Sequence, residues 1–302
     1  MTETVKNTSA FSRCHPVVNF LYFALVLVFS MFLMHPVSLG VSLVSAAVCT
    51  GMLCGRKALL GSLRLVLPLV LFAAVVNPAF NHEGVTVLWY FPSGNPLTLE
   101  SILYGLAAAV MLASVLLWFT CFNAVVTSDK FVYLFGRIIP ALSLVLSMTL
   151  RFVPRFRAQL RTVTMARRGM GQDSTKGGAL HKVRSGLAVL SVLITWSLEN
   201  ALETADSMKG RGYGLKGRTA FSIYRFDGRD KGLLLWLGFC GIFLVSAWAA
   251  GFFRWAYVPM LTGNGWNVWT VGAQAVYLAL CLTPVMLNGK ENAAWKRTPS
   301  KT

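Results

Sequence analysis

Two short basic segments repeat arginine and glycine in the same order. The first arginine segment reads Met165-Ala166-Arg167-Arg168-Gly169-Met170, and the second reads Met208-Lys209-Gly210-Arg211-Gly212-Tyr213. Each follows a helix-like run, and a guanidinium group at a helix end can donate bidentate hydrogen bonds to a carboxylate. Two such ends suit a partner that offers two similar acidic grooves, as a dimer does.

An ordinary helix end is the alternative explanation for each segment taken alone. Glycine adopts the left-handed conformation past a helix end without Cβ strain, and arginine in the last turn complements the negative end of the helix dipole. A solvated C-cap and a docking contact therefore both stay open for each segment. The repetition of the pattern at Arg168 and Arg211 favours docking.

The composition predicts a polytopic membrane protein. Hydrophobic residues make up 55% of the 302 residues and charged residues 13%, whereas soluble globular chains carry about 25% charged residues. Six apolar stretches have the length of spanning helices, and they cover residues 17–34, 37–54, 65–80, 101–126, 233–253 and 269–287. We expect an all-α membrane protein with about six transmembrane helices and long cytoplasmic helices that end in the two arginine segments.

The positions of the basic residues predict the orientation in the membrane. The net charge is +17, which by itself would suit a nucleic-acid partner. However, no Lys or Arg lies in residues 65–129, most lie in residues 130–231, and Arg254 is the single basic residue assigned to an outer loop. Because cationic loops are retained in the cytoplasm, we expect both termini at the cytoplasmic face of a bacterial plasma membrane, and no nucleic-acid partner.

Three sections follow from these spans. Residues 1–128 hold four spans, residues 129–231 form a cytoplasmic or interfacial section of coupling helices, and residues 232–302 hold the last spans and a basic tail. The first span lacks a small-residue cleavage site after it, so we expect it to be retained. In the outer loop, residues 85–91 have strand-like composition and residues 92–96 resemble a turn, which predicts a short hairpin.

Within the middle section the sequence predicts one short apolar segment and two helices. Residues 138–150 are too short to cross the bilayer and contain Pro140, so we expect them at the membrane interface. A basic helix should run from Arg151 to Arg168, and glycines should break it from Gly169 onward. A second helix should run from about Ala179 to Arg211.

No other motif indicates catalysis, a cofactor or a metal. The six cysteines form no CxxC pair and fall mostly in apolar spans, which is typical of buried reduced thiols. The four histidines (His15, His35, His82 and His181) lack metal-ligand spacing, and we expect them in loops or at the interface. The glycine-rich segment after Arg168 lacks the GK[ST] ending of a phosphate loop. The spans contain almost no ionisable residues, which favours a subunit that transmits force over one with its own proton relay.

The two arginine segments resemble the Ala-Arg-Gly motifs of the transmembrane T component of energy-coupling factor (ECF) transporters, which are ATP-driven importers of vitamins and metal ions. Four other stretches are similar to the same family: Val75-Val76-Asn77-Pro78 running into Gly84-Val85-Thr86, Leu150-Arg151-Phe152-Val153-Pro154, Ser207-Met208, and Arg211-Gly212-Tyr213-Gly214. The resemblance covers about residues 15–285, and the order and membrane context of the motifs agree along this length.

The resemblance implies the function and the partners. In that family two long cytoplasmic helices cross, each tip docks in a groove of one of two ATPase subunits, and the membrane part holds a separate substrate-binding S component. The docking residues implied here are Ala166, Arg167, Arg168, Gly169, Gly210, Arg211 and Gly212. Arg167 replaces the motif alanine, so Arg167 and Arg168 could share the first contact. Gly210 replaces the second alanine, which should loosen the last helical turn by about 1 kcal/mol. A stand-alone channel or membrane-embedded enzyme is the alternative.

Overall fold

The computed structural model describes residues 9–81, 83–90, 96–136, 140–171, 178–215, 224–263 and 267–297. In these residues the chain forms ten α-helices, preceded by a 3-10 turn at Phe11–Arg13. The helices are α1 (Pro16–Phe32), α2 (Pro36–Leu53), α3 (Arg56–Phe80), α4 (Leu99–Val125), α5 (Ser128–Gly136), α6 (Pro140–Gly169), α7 (Ala179–Gly210), α8 (Gly228–Ala249), α9 (Val268–Cys281) and α10 (Thr283–Arg297).

Two small antiparallel hairpins lie between the helices. Strand β1 (Val87–Tyr90) pairs with β2 (Pro96–Thr98), and β3 (Trp255–Ala256) pairs with β4 (Thr262–Gly263). The hairpin predicted before α4 is therefore confirmed, although residues 92–95 of its predicted turn, and residue 91 before them, lie outside the described residues. The second hairpin was not predicted, because its strands are two residues long and show no alternating pattern.

The prediction of an all-α polytopic membrane protein is confirmed. Five described helices are long and apolar enough to cross a membrane, namely α2, α3, α4, α7 and α8, and the pair α9 and α10 passes the same test together. Helix α1 is apolar but has 17 residues. The last predicted span is not one straight helix, since α9 and α10 are bent by 54°. Pro284, at the second position of α10, cannot donate a backbone hydrogen bond and disrupts the preceding turn.

The chain divides into two compact units. The first unit comprises Met1–Thr127 and Tyr224–Thr302, and the second comprises Ser128–Ile223. The core of the first unit lies where α1, α2, α4, α8 and α9 meet, around the fully buried Tyr22, Trp118 and Tyr277. The Tyr22 hydroxyl donates to the backbone oxygen of Cys281 over 2.9 Å, and the Trp118 indole donates to Ser42 Oγ over 3.2 Å. These bonds satisfy two of the polar groups that burial would otherwise leave unpaired.

Two of the histidines cap helices. His15 and His35 each precede a proline at the first helical position, and each ring Nδ1 accepts a backbone N–H, from Val17 and Val37 respectively, over 3.3 Å. Burial lowers the pKa of His35, which favours the neutral ring that can accept this bond. Sequence reasoning missed these caps, although His-Pro directly before an apolar run was the available signal. His82 lies outside the described residues.

One end of the first unit collects basic residues. The backbone N–H of His15 donates to Asp230 Oδ1 over 3.2 Å, which joins the starts of α1 and α8. The backbone N–H of Phe11 donates to Asn288 Oδ1 over 3.2 Å, and the Asn288 amide lies 3.8 Å from Met52 Sδ, so α10 and the end of α2 lie at the same end. We call it the basic end, after the cations on these helices and on the adjoining segments: Arg13, Arg56, Lys57, Arg229, Lys231 and Lys290.

The opposite end of the first unit carries the first hairpin, tied to the start of α4. Thr86 Oγ1 donates to Glu100 Oε1 over 2.8 Å, and Thr98 Oγ1 donates to the backbone oxygen of Glu83 over 3.0 Å. Gly84 has φ +154°, and a Cβ there would lie 2.7 Å from atoms of Thr98 and Glu100. Glycine is therefore required at this close approach.

Candidate docking surface

Helices α6 and α7 pack against each other in opposite directions. The rings of Phe156 and Trp196 meet edge to face with centroids 5.4 Å apart. Eleven residues later on α6 and eleven earlier on α7, Arg167 Nη2 lies 3.5 Å from Ser185 Oγ. Equal steps in opposite directions define an antiparallel pair. Ser185 and Val189 are buried on the face of α7 that contacts α6.

Helix α6 is longer than the sequence predicted. It is continuous from Pro140 to Gly169, with Pro154 inside it, so the short apolar segment and the basic helix are one element. The expectation of a separate segment at residues 138–150 was wrong within the described part, residues 140–150. The composition changes from apolar to basic at Arg151, but the backbone of the helix continues there without a break.

The antiparallel packing puts the two arginine segments at opposite ends of the helix pair. The first ends α6, beside the start of α7, and the second ends α7. Ser185 lies opposite Arg167, and α7 continues from there to Gly210. At a rise of about 1.5 Å per residue, Arg168 and Arg211 are separated by about 40 Å along the pair.

The two segments end their helices differently. In the second, Gly212 has φ +74°, its N–H donates to the backbone oxygen of Lys209 over 2.9 Å, and the N–H of Tyr213 donates to that of Met208 over 3.0 Å. This double pattern is a Schellman cap, with Arg211 at the C-cap position.

In the first segment α6 ends at Gly169, one residue beyond the predicted Arg168. Gly169 is still helical, and Gly171 is the left-handed residue, with φ +78° and its N–H donating to the backbone oxygen of Arg168 over 3.0 Å. Arg168 therefore lies inside the last turn of α6. The sequence could not show this, because Gly169 and Gly171 are both able to end a helix.

The structure separates the adjacent arginines of the first segment. Arg167 is half-buried against α7, and its Nε is buried with no hydrogen-bond partner among the described residues. Arg168 and Arg211 are both exposed, as are Ala166 and the helical glycine Gly169. Gly210 is also exposed, and Gly212 is half-buried beside Leu215. Sequence reasoning missed Ser185, for which the available signal was the small pair Ser185-Gly186 near the start of a long helix.

Helix α7 also presents a row of large apolar side chains away from α6. Their three- and four-residue spacing places them on one face of the helix, and each is between 50% and 90% exposed. We call this face the α7 stripe: Leu180, Val183, Leu187, Leu190, Ile194, Leu198 and Leu202. A contiguous apolar face of this length is typical of a surface that meets a membrane or another protein.

Comparison with known proteins places the chain among membrane transport proteins. The family model described as "CbiQ: Cobalt transport protein" matches residues 7–221. The chain is 25% identical over 207 residues to an uncharacterised protein of Mycoplasma genitalium, covering 65% of this chain and 44% of that protein. It is 31% identical over 105 residues to the energy-coupling factor transporter transmembrane protein EcfT of Exiguobacterium sibiricum, covering 34% of this chain and 40% of that protein.

A second protein named EcfT, from Lactococcus lactis, is 33% identical over 95 residues, which cover 31% of this chain and 36% of that protein. The chain thus spans less than half the length of each of these relatives. The family match is broader, since it runs from before α1 to beyond α7 and includes both arginine segments. On this match the chain belongs to the CbiQ family and is an EcfT-like T component.

Proposed function

We propose that this chain is the non-catalytic transmembrane T component of an ECF-type importer, and that it transmits motion from two ATPase subunits to a separate S component. The observation that carries the proposal is the antiparallel pair α6 and α7, which presents exposed Arg168 and Arg211 at its opposite ends. A dimer of ATPase subunits offers two equivalent grooves, and one arginine would enter each.

The docking contact itself is electrostatic. In an acidic groove, Arg168 and Arg211 would each donate paired hydrogen bonds to a carboxylate. The neighbouring residues with small or no side chains (Ala166, Gly169, Gly210 and Gly212) would let the groove approach the helix end closely. Arg167 would stabilise the base of the first tip by its contact with Ser185.

The orientation in the bilayer follows from the same charges. We place the basic end of the first unit and both termini in the cytoplasm of a bacterial plasma membrane, because basic segments are retained on that side. Residues 130–231 hold most of the basic residues and would be retained on that side as well, so Arg168 and Arg211 would share a compartment with ATPase subunits, which use cytoplasmic ATP. The proposed orientation rests on the positions of the Lys and Arg residues in the sequence.

The α7 stripe is the surface we assign to the S component. When the ATPase dimer closes, the docked ends of α6 and α7 would move relative to each other. The long helices would transmit this motion to the α7 stripe. Exchange of an apolar face between lipid and a protein partner requires little change in hydration, which suits a reversible contact at the membrane interface. The cargo class implied by the resemblance is a vitamin or a metal ion.

Charge reversal at both tips tests the docking assignment. Arg168→Glu combined with Arg211→Glu should abolish co-purification of the ATPase subunits, because each reversal places a carboxylate against a carboxylate and costs about 2–5 kcal/mol. The control is Arg155→Glu combined with Arg157→Glu, which changes the charge equally at exposed positions of α6. Retention of the ATPases and of transport by the tip variant would show that docking lies elsewhere, and their loss in the control would assign the effect to net charge.

A further inference from the structure

A cavity of about 480 Å³ opens at the basic end of the first unit. It lies between the chain just before the 3-10 turn, the first turns of α8, and α10. Its wall is almost entirely apolar surface, although charged residues are among those that line it: Ala10, Leu233, Leu287, Arg229, Lys290 and Glu291. This volume falls within the range of sites for small amphiphilic molecules.

The charges around the cavity favour an anion. Arg229 and Lys290 are exposed cations that line it, and Glu291 contributes the opposing carboxylate. That carboxylate already has a partner, since Arg13 Nη1 lies 3.9 Å from Glu291 Oε1. The net positive charge left at the cavity suits one phosphate group.

The charged and apolar residues of the lining lie one helical turn apart on each helix. On α8, Leu233 lies one helical turn beyond Arg229, and on α10, Leu287 lies one turn from Lys290 and Glu291. Each helix thus pairs a cation with a leucine about 5 Å away along its axis, with Arg229 in the first turn of α8 and Lys290 in the middle of α10. A free phosphate would use only the cations, whereas a phospholipid would place its acyl chain along the leucines.

We propose that this cavity binds one anionic phospholipid, with its phosphate between Arg229 and Lys290 and an acyl chain against Leu233 and Leu287. Basic pockets between membrane helices are the usual sites for such headgroups. The proposal concerns the first unit alone and does not depend on ATPase docking. Its effect would be to hold the start of α8 and the middle of α10 together in the bilayer.

Native mass spectrometry of the full chain in detergent tests the site. One phosphatidylglycerol should be retained in preference to phosphatidylcholine, and Arg229→Gln combined with Lys290→Gln should weaken its retention about 30-fold, as two lost cation contacts imply. The control is Arg225→Gln combined with Lys231→Gln, two exposed cations near the same helix start that do not line the cavity. The control should leave retention unchanged.

A second variant tests the acyl-chain contact separately. Leu233→Trp keeps both cations but fills the apolar part of the cavity, so it should also reduce phosphatidylglycerol retention. Equal retention of the two lipids, or equal losses in the cavity pair and the control pair, would overturn the proposal. Displacement of the lipid by an equal concentration of inorganic phosphate would likewise overturn it, because the site would then recognise phosphate alone.

Discussion

Arg167 and Arg168 are neighbours in the sequence but have different surroundings in the structure. Adjacent helical residues point about 100° apart, so only one of them can face α7. Arg167 contacts Ser185, and Arg168 is exposed. The sequence left both arginines as candidates for the first docking contact, because which of them is exposed depends on the side from which α7 approaches.

Single alanine substitutions should separate the roles of the two arginines. Arg168→Ala should weaken binding of the ATPase subunits by about 10- to 100-fold, since a hydrogen bond to a charged group contributes about 1.5–3 kcal/mol. Arg167→Ala should leave binding within about twofold and instead lower the thermal stability of the second unit. Titration of the ATPase subunits against each immobilised variant gives the two affinities. Weaker binding by Arg167→Ala than by Arg168→Ala would make Arg167 the docking residue.

At the scale of elements, periodicity predicted most helices but missed two details that depend on backbone geometry. Pro154 lies within α6, where a break was expected nearby, whereas Pro284 accompanies the bend between α9 and α10, where one straight span was expected. Proline removes one hydrogen bond in either case. Whether the helix continues depends on the packing around it, which the sequence does not display.

The close packing at Gly84 makes the first hairpin sensitive to one methyl group. Gly84→Ala should destabilise the protein by about 1–3 kcal/mol, because the new Cβ would overlap Thr98 and Glu100. Gly40→Ala is the matched control, since Gly40 lies in α2 with no neighbouring atom within 4 Å of an added Cβ. Thermal unfolding in detergent should show a loss only for Gly84→Ala. If both variants had the same midpoint of thermal unfolding, the hairpin would accommodate the added methyl group without a loss of stability.

The α7 stripe should be needed for the S component but not for the ATPase subunits. Ile194→Glu places a charge in the stripe, whereas Thr195→Glu places the same charge at the next exposed position, outside the stripe. Ile194→Glu should lose the S component on purification and keep the ATPases, because a charge in an apolar contact costs about 2–3 kcal/mol or more. Thr195→Glu should keep both partners. If Ile194→Glu also kept the S component, the stripe would not be its contact.

At the scale of the whole molecule, the charge distribution and the apolar stretches predicted a membrane protein. The environment of α7 could not be predicted in the same way. Its apolar residues form both the contact with α6 and the α7 stripe, and its basic residues lie near the two ends. The helix is therefore long and apolar enough to cross a membrane, although the sequence also suits a cytoplasmic helix. The composition of α7 indicates that the α7 stripe needs an apolar contact. It does not indicate whether lipid or another protein supplies that contact.

The most direct test of the central claim is the distance between the ends of α6 and α7 during ATP binding. Spin labels at Met165→Cys and Asp206→Cys would lie near the two tips without replacing Arg168 or Arg211. Five of the six native cysteines are buried, so only Cys54 needs replacement. From the antiparallel packing we expect a separation of about 30 Å without nucleotide. In the complete complex, ATP should change this distance by several ångströms, and an unchanged distance would contradict the claim that the helix pair transmits motion.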